Sequence, residues 1–216
     1  GNKVDLSTET VCSHPSAEMP DIIDLETGQC KRANTDDVIA TTRLMNQLDQ
    51  LDTLSVLVYP NDVPPKINRL KQAELVMRYS SKPISACASN PEEAKYLVEL
   101  FGVFKDLVDG NYIGTVGFSP ESPLKFPKKI TDSMEIIISA GIPVSVLSAP
   151  MGGMSGPLTL AGGVAQVNAE SLAFVVLSYL YNPETPFIYA PRLFYANMKT
   201  GCSITGLPET GITSAV

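Results

Sequence analysis

Residues 148–170 read Ser148-Ala149-Pro150-Met151-Gly152-Gly153-Met154-Ser155-Gly156-Pro157-Leu158-Thr159-Leu160-Ala161-Gly162-Gly163-Val164-Ala165-Gln166-Val167-Asn168-Ala169-Glu170. An apolar run ends at Pro150, a glycine-rich turn follows, and a helical pattern opens near Pro157. This order predicts a buried strand, a turn with bare backbone N–H groups, and the positive end of a helix at one place. Many α/β proteins build ligand sites in this way.

The same punctuation recurs along the chain. Short apolar runs lead into Pro60, Pro91, Pro120, Pro150 and Pro191, spaced 31, 29, 30 and 41 residues apart. A period near 30 is the size of one strand-plus-helix unit. Proline suits the junction because it ends a strand and can begin a helix. The strands are expected over 55–59, 84–89, 113–118, 144–148 and 187–190. Helical patterns fill the gaps. Asn34 and Thr35 form a cap before a helix over 36–51. Pro64 and Pro65 lead into a helix through Tyr79. Asn90-Pro91-Glu92-Glu93 supplies a cap, a first-turn proline and two acids. Helices over 128–140 and 158–181 complete the set.

Strands alternating with helices at this spacing imply a parallel sheet with right-handed crossovers. Two architectures satisfy the pattern, a doubly wound open sheet and part of an eight-stranded barrel. No G-x-G-x-x-G follows the first strand, which weakens the dinucleotide-binding version of the open sheet. In both, ligand groups gather at the carboxyl ends of the strands. Residues 1–33 fit neither pattern and read as an N-terminal extension, with a small hairpin over 21–30. Residues 34–216 read as the β/α domain.

Composition narrows the function. The 216 residues are 44% hydrophobic and 18% charged, which is globular rather than disordered. A net charge of -7 argues against a nucleic-acid surface, since phosphate contacts need clustered Lys and Arg. No cationic, apolar leader opens the chain, so a cytoplasmic protein is expected. Cys12, Cys30, Cys87 and Cys202 form no C-x-x-C pair, and His14 is the sole histidine. Neither a metal site nor a Cys-His nucleophile pair is expected. The most apolar long run, 158–181, carries Gln166, Asn168 and Glu170, and reads as a buried helix rather than a membrane span.

The carboxyl-end rule selects candidate site residues. Tyr59, Phe118 and Tyr189 end predicted strands, and aromatic faces there can hold a methylated ammonium at ~2 kcal/mol when dry. Packing strands against helices is the competing role for such rings. Asp62, Glu121 and Ser122 follow two of the strands; an acid there can neutralise a cation or move a proton, or simply cap a helix. Gln166 and Glu170, four apart, share one helix face, as a polar pocket wall or as an interhelical hydrogen-bond network. Gly162 and Gly163, one turn earlier, are expected to let another backbone approach closely.

One family shares this wording. The run Pro150-Met151-x-Gly153-x-x-x-Pro157-x-Thr159-Leu160-Ala161-Gly162, with Gln166-x-Asn168-Ala169-Glu170, resembles the trimethylamine methyltransferase superfamily. The likeness extends through Asp24-Leu25-Glu26-Thr27-Gly28, Val58-Tyr59-Pro60-Asn61-Asp62-Val63-Pro64 and Ser119-Pro120-Glu121-Ser122-Pro123-Leu124. It implies a (β/α)8 TIM-type barrel enzyme, of which this chain supplies about five β/α units. It implies transfer of a methyl group from a methylated amine to the cobalt of a corrinoid (cobalamin) protein, as in methylamine metabolism and methanogenesis. The donor would be trimethylamine or a quaternary amine such as glycine betaine. Tyr59, Phe118 and Tyr189 would wall the ammonium, with Asp62, Glu121, Gln166 and Glu170 as polar contacts. Met151, Gly152 and Gly153 would admit the corrinoid. The cofactor would travel with the partner protein, with none held by this chain, and the enzyme would be a homo-oligomer. Family members are longer, and the pyrrolysine of amine-using members would lie beyond Val216. A non-catalytic β/α module that binds a partner is the alternative.

Overall fold

The prolines and caps set the elements. The computed structural model describes residues 12–15, 18–105, 113–204 and 206–214. The chain divides into two compact units, residues 1–88 with 92–116, and residues 89–91 with 117–216.

The first unit opens on a hairpin, β1 (Asp21–Ile23) antiparallel to β2 (Cys30–Arg32). Its turn is closed by the Asp24 carboxylate, which accepts from the backbone N–H groups of Glu26 and Thr27. Gly28 takes φ 68°, a left-handed conformation that side chains disfavour. Helix α1 (Thr35–Asn46) begins as expected. The Asn34 side chain accepts from Asp37 N–H at 3.0 Å, and the Asp37 carboxylate accepts from Asn34 N–H at 3.0 Å. This reciprocal capping box satisfies two orphan donors. Asn34→Ala should therefore lower the stability of the chain by about 1 kcal/mol in urea unfolding. A change below about 0.3 kcal/mol would show that other partners carry the helix start.

Strand β3 (Leu54–Ser55), helix α2 (Asn68–Tyr79), strand β4 (Ile84–Cys87), helix α3 (Pro91–Lys105) and strand β5 (Gly114–Phe118) follow. Helix α4 (Lys128–Ser139), strand β6 (Val144–Val146), strand β7 (Met151–Gly152), helix α5 (Leu160–Tyr181) and strand β8 (Phe187–Tyr189) come next. The described chain closes with β9 (Phe194–Ala196), β10 (Ser203–Ile204) and α6 (Pro208–Ser214).

The main sheet is parallel, in the order β3-β4-β5-β6-β8. Leu54 registers with Ile84, and Val144 and Val146 with Phe187 and Tyr189. This order follows the chain without reversal, whereas a doubly wound sheet reverses direction at a switch point. The sheet is thus a five-stranded parallel α/β sheet whose order is consistent with part of a β/α barrel. All three residues of β6 are buried, Ser145 between Val144 and Val146, as suits a strand covered on both faces. The core of the first unit gathers Leu54, Val58, Val76, Ile84 and Leu97; that of the second gathers Met134, Ile137, Val144, Val146 and Phe174. Buried Gln72 and Lys82 find partners: Gln72 Nε2 donates to Val58 O at 2.9 Å, and Lys82 Nζ to Leu48 O at 2.6 Å just past α1.

Three features depart from the sequence reading. The first strand is much shorter than expected, because the chain past Ser55 pairs only through the Met19–Val58 bridge. Met151–Gly152 is not turn but strand β7, in a second sheet of order β10-β9-β7. Two- and three-residue strands carry no periodicity to read. Finally, α5 is not buried all round: Leu172, Val176, Tyr179 and Leu180 are 48%, 57%, 68% and 71% exposed.

Candidate functional site

Helix α5 brings Glu170 to the ends of two strands. The residue is 0% exposed, and its carboxylate accepts four hydrogen bonds. Ser148 Oγ, two residues past β6, donates to Oε2 at 2.5 Å, and Ser122 Oγ, four residues past β5, donates at 2.8 Å. Leu124 N–H and Gln166 Nε2 donate to Oε1 at 2.9 and 3.0 Å. Gln166 Nε2 also donates to Ser155 O at 2.9 Å, which ties in the glycine-rich turn. One carboxylate thus joins the segments after β5 and β6 to α5.

Burial alone would raise the carboxyl's proton affinity. The donors from Leu124, Ser148, Ser122 and Gln166 outweigh it and hold the group below the usual glutamate value. Glu170 is therefore a buried anion stabilised by neutral donors. The segment it holds is tight: Glu121 and Lys125 exchange backbone hydrogen bonds at 2.9 and 3.0 Å. Leu124 adopts φ 52°, a left-handed conformation uncommon for leucine, as it presents its N–H to Glu170.

The glycine-rich turn is closed on itself. The N–H groups of Met154, Ser155 and Gly156 all donate to Met151 O at 3.0 Å, and Gly153 N–H donates to Gly156 O at 3.0 Å. The bare N–H groups expected from the sequence are thus consumed within the turn, and it is no anion cradle. Gly153 needs its freedom, with φ 87°. A Cβ on Gly152 would lie 2.7 Å from the Tyr195 ring. The neighbours of Gly162 and Gly163 correct a further expectation. They are not another backbone but side chains, Thr159 and Pro157 at the first and Leu193 at the second.

The other aromatic and polar candidates fall in separate places. Phe118 is buried at the end of β5. Tyr189 is half exposed at the end of β8, and its hydroxyl donates to Asn168 Oδ1 at 2.8 Å. The Glu121 side chain is exposed. In the first unit, Asp62 Oδ1 accepts from Thr35 N–H at 2.8 Å and so caps α1. Tyr59 meets a cation already present in the chain, with the Arg69 guanidinium carbon 5.5 Å from its ring centroid. Arg69 pairs with Glu18 at 3.3 Å. The nearby Cys87 thiol is pushed up to about 12, by burial first and then by Glu18, so it stays protonated and unreactive. Among the described residues no three His, Cys, Asp or Glu side chains gather to hold a metal.

Sequence reasoning missed Ser148 and Ser122 as partners of Glu170, although both stand in the quoted runs. It also missed Arg69. A signal existed there, since α2 has a cation and no acid in its first turn, against the usual preference.

Comparison with known proteins follows from the same stretches. A family model described as trimethylamine methyltransferase (MTTB) matches residues 1–216. The chain is 28% identical over 200 residues to trimethylamine methyltransferase MttB of Desulfitobacterium hafniense, covering 90% of this chain and 40% of the relative. It is 29% identical over 197 residues to a proline betaine:corrinoid methyltransferase of Eubacterium limosum, covering 85% and 40%. With trimethylamine methyltransferase MttB1 of Methanosarcina acetivorans the identity is 27% over 193 residues, covering 83% and 37%. The chain spans about two fifths of the length of these relatives.

Proposed function

The chain belongs to the trimethylamine methyltransferase family, and from that premise we propose that it forms part of a (β/α)8 barrel enzyme. The enzyme moves a methyl group from a methylated amine to the cobalt of a separate corrinoid protein. In the transfer the C–N bond of a quaternary or protonated amine breaks, its electron pair stays on the nitrogen, which leaves as the neutral amine, and the methyl carbon bonds to the acceptor, which supplies the new electron pair. The acceptor is a second substrate, brought by its own protein.

The observation that carries this reading is the Glu170 latch, which orders the segments after β5 and β6. Barrel enzymes seat substrates at those ends of their strands. An ordered seat supports an in-line displacement, because holding donor and acceptor in a near-attack geometry is worth several kcal/mol, and about 7–11 at best. Tyr189 is assigned to the ammonium of the donor, whereas Phe118 is buried at the end of β5 and Tyr59 already faces the Arg69 guanidinium. Tyr189 fits the role best, since it keeps an exposed ring beside Asn168. Glu121 is the exposed acid assigned to balance its charge, while Asp62 is engaged in capping α1. Glu170 and Gln166 position the walls rather than touch the amine. Met151, Gly152 and Gly153 lie on the corrinoid's approach.

The test uses a family-length protein carrying these 216 residues, mixed with a corrinoid protein reduced to cobalt(I). Trimethylamine and glycine betaine are offered in turn, and the cobalt absorbance is followed. Methylation with one of them is expected, and Tyr189→Ala should raise its KM about tenfold, the loss of one cation–π contact. Silence with both amines, from folded protein and demonstrably reduced cobalt, would overturn the reading and leave a partner-binding module.

A further inference from the structure

One cation of the first unit sits where its own helix disfavours it. Arg69 stands in the first turn of α2, which holds no acid, and a helix start repels positive charge. Contacts from outside the helix keep it there. Its guanidinium carbon lies 5.5 Å from the Tyr59 ring centroid, and Nη1 reaches the two Glu18 oxygens at 3.3 and 3.4 Å. Those lengths exceed the roughly 2.7–2.9 Å of a tight charge-assisted pair. The Cys87 thiol, at the end of β4, also lies against Glu18 and Arg69. Burial opposes the charge on Arg69, and Glu18, Tyr59, Cys87 and Glu93 together outweigh it. Two carboxylates thus act on one guanidinium. The cluster is open to solvent in part, since the Arg69 and Glu18 side chains keep 28% and 29% exposure.

We propose that Tyr59 and Glu18 form a binding site for a small methylated ammonium ion, and that Arg69 is a tethered occupant which such an ion displaces. An aromatic face beside a carboxylate recognises a cation of low charge density. A hard metal ion needs about six to eight oxygen ligands, and among the described residues no three His, Cys, Asp or Glu side chains gather to supply them. Guanidinium and methylated ammonium share what the site reads, a single diffuse positive charge and weak hydration. Arg69 can leave because its contacts are long and the start of α2 gains from losing a cation. While it stays, a free ion must compete with a guanidinium that is always present, so the site fills only at high amine concentration. Glu18, Tyr59, Arg69, Cys87 and Glu93 all belong to the first unit. This is a second cation site, additional to the seat assigned to Tyr189 and Glu121, and it does not depend on methyl transfer.

Calorimetric titration of the 216-residue chain with tetramethylammonium chloride tests the proposal, with sodium chloride as the ionic-strength control. Arg69→Ala removes the tethered occupant and should bind the ion at least tenfold more tightly than the wild type. Adding Tyr59→Leu or Glu18→Gln to Arg69→Ala should abolish that gain. No gain in Arg69→Ala, whether from equal affinity or from no binding at all, would overturn the proposal, since Arg69 would then hold nothing closed. So would a gain that survives Tyr59→Leu, which places the ion elsewhere. Circular dichroism and thermal unfolding check that each variant folds. Should Arg69→Ala fail, Arg69→Met takes its place, because it keeps much of the apolar stem. The readout is binding alone, so failure of the proposed methyl transfer would leave this site standing, and failure here would leave the transfer standing.

Discussion

Glu170→Ala should destabilise the second unit by about 3–5 kcal/mol in urea unfolding, more than any other single side-chain truncation in the segments around it. The substitution removes the acceptor of four donors, of which Gln166 Nε2 keeps Ser155 O. Ser122 is partly exposed and can turn its hydroxyl to water. Ser148 is fully buried, and the N–H of Leu124 is fixed by the backbone. Each buried donor left unpaired costs about 1–3 kcal/mol, and the emptied volume adds to it. A loss below about 1 kcal/mol would mean the donors have other partners, and the latch would be abandoned. The same residue sets a pH dependence. Its folded carboxyl lies below the usual glutamate value, so the folded state binds that proton more weakly than the unfolded chain. Its contribution is fully present above that value and is lost as the pH falls through the lower folded value. Glu74, held low by Lys71 and Arg78 against the effect of burial, has the same sign. Comparing the wild type with Glu170→Gln therefore isolates the part that belongs to Glu170. The variant should show a shallower loss of stability as the pH falls below the usual glutamate value.

Gly114→Ala should cost about 3 kcal/mol or more, or prevent folding of the first unit. A Cβ at the start of β5 would lie 1.9 Å from Ile84 O and 2.8 Å from its backbone C and N. These are main-chain atoms, so no rotamer change relieves the clash. The two strands would have to part, and the Ile84 N–H bond to Ile113 O at 3.0 Å would go with them. Overpacking against side chains typically costs 1–3 kcal/mol; against a paired backbone the upper end is the starting point. Gly102→Ala is the matched control. A Cβ there meets nothing within 4 Å, inside α3. It should stabilise the protein by up to about 1 kcal/mol, through higher helix propensity. Opposite signs from the same chemical change, read by thermal and urea unfolding, test the close approach directly. Equal effects would show that the strand pair gives way cheaply.

Much of the fold was legible because its causes are local. Asn34 and Asp37 are three apart, and Pro91 stands beside two acids; such spacings decide helix starts within one turn. The strands were legible as apolar runs between prolines, although their ends were not, since strand pairing depends on a partner elsewhere in the chain. Strands β7, β9 and β10 escaped notice for the same reason, being two or three residues long. That Glu170 and Gln166 share one helix face was readable at a spacing of four, and the structure adds the hydrogen bond between them. Ser148, Ser122 and Leu124, its other partners, lie 22 to 48 residues away. Tyr59 shows the limit most clearly. Its place at the end of a strand was read from the sequence, but the Arg69 cation over its ring was not.

The sequence by itself determined the alternation of strands and helices, the Asn34 cap, the glycine-rich turn and the family. Each rests on backbone preference or on contacts within a few residues, which neighbouring residue types dictate. Only the tertiary structure decided the order of strands in the sheet, the four donors that make Glu170 a buried anion, and the apolar face left bare along α5. Those depend on which distant segments come to share one space, and chain spacing carries no record of that.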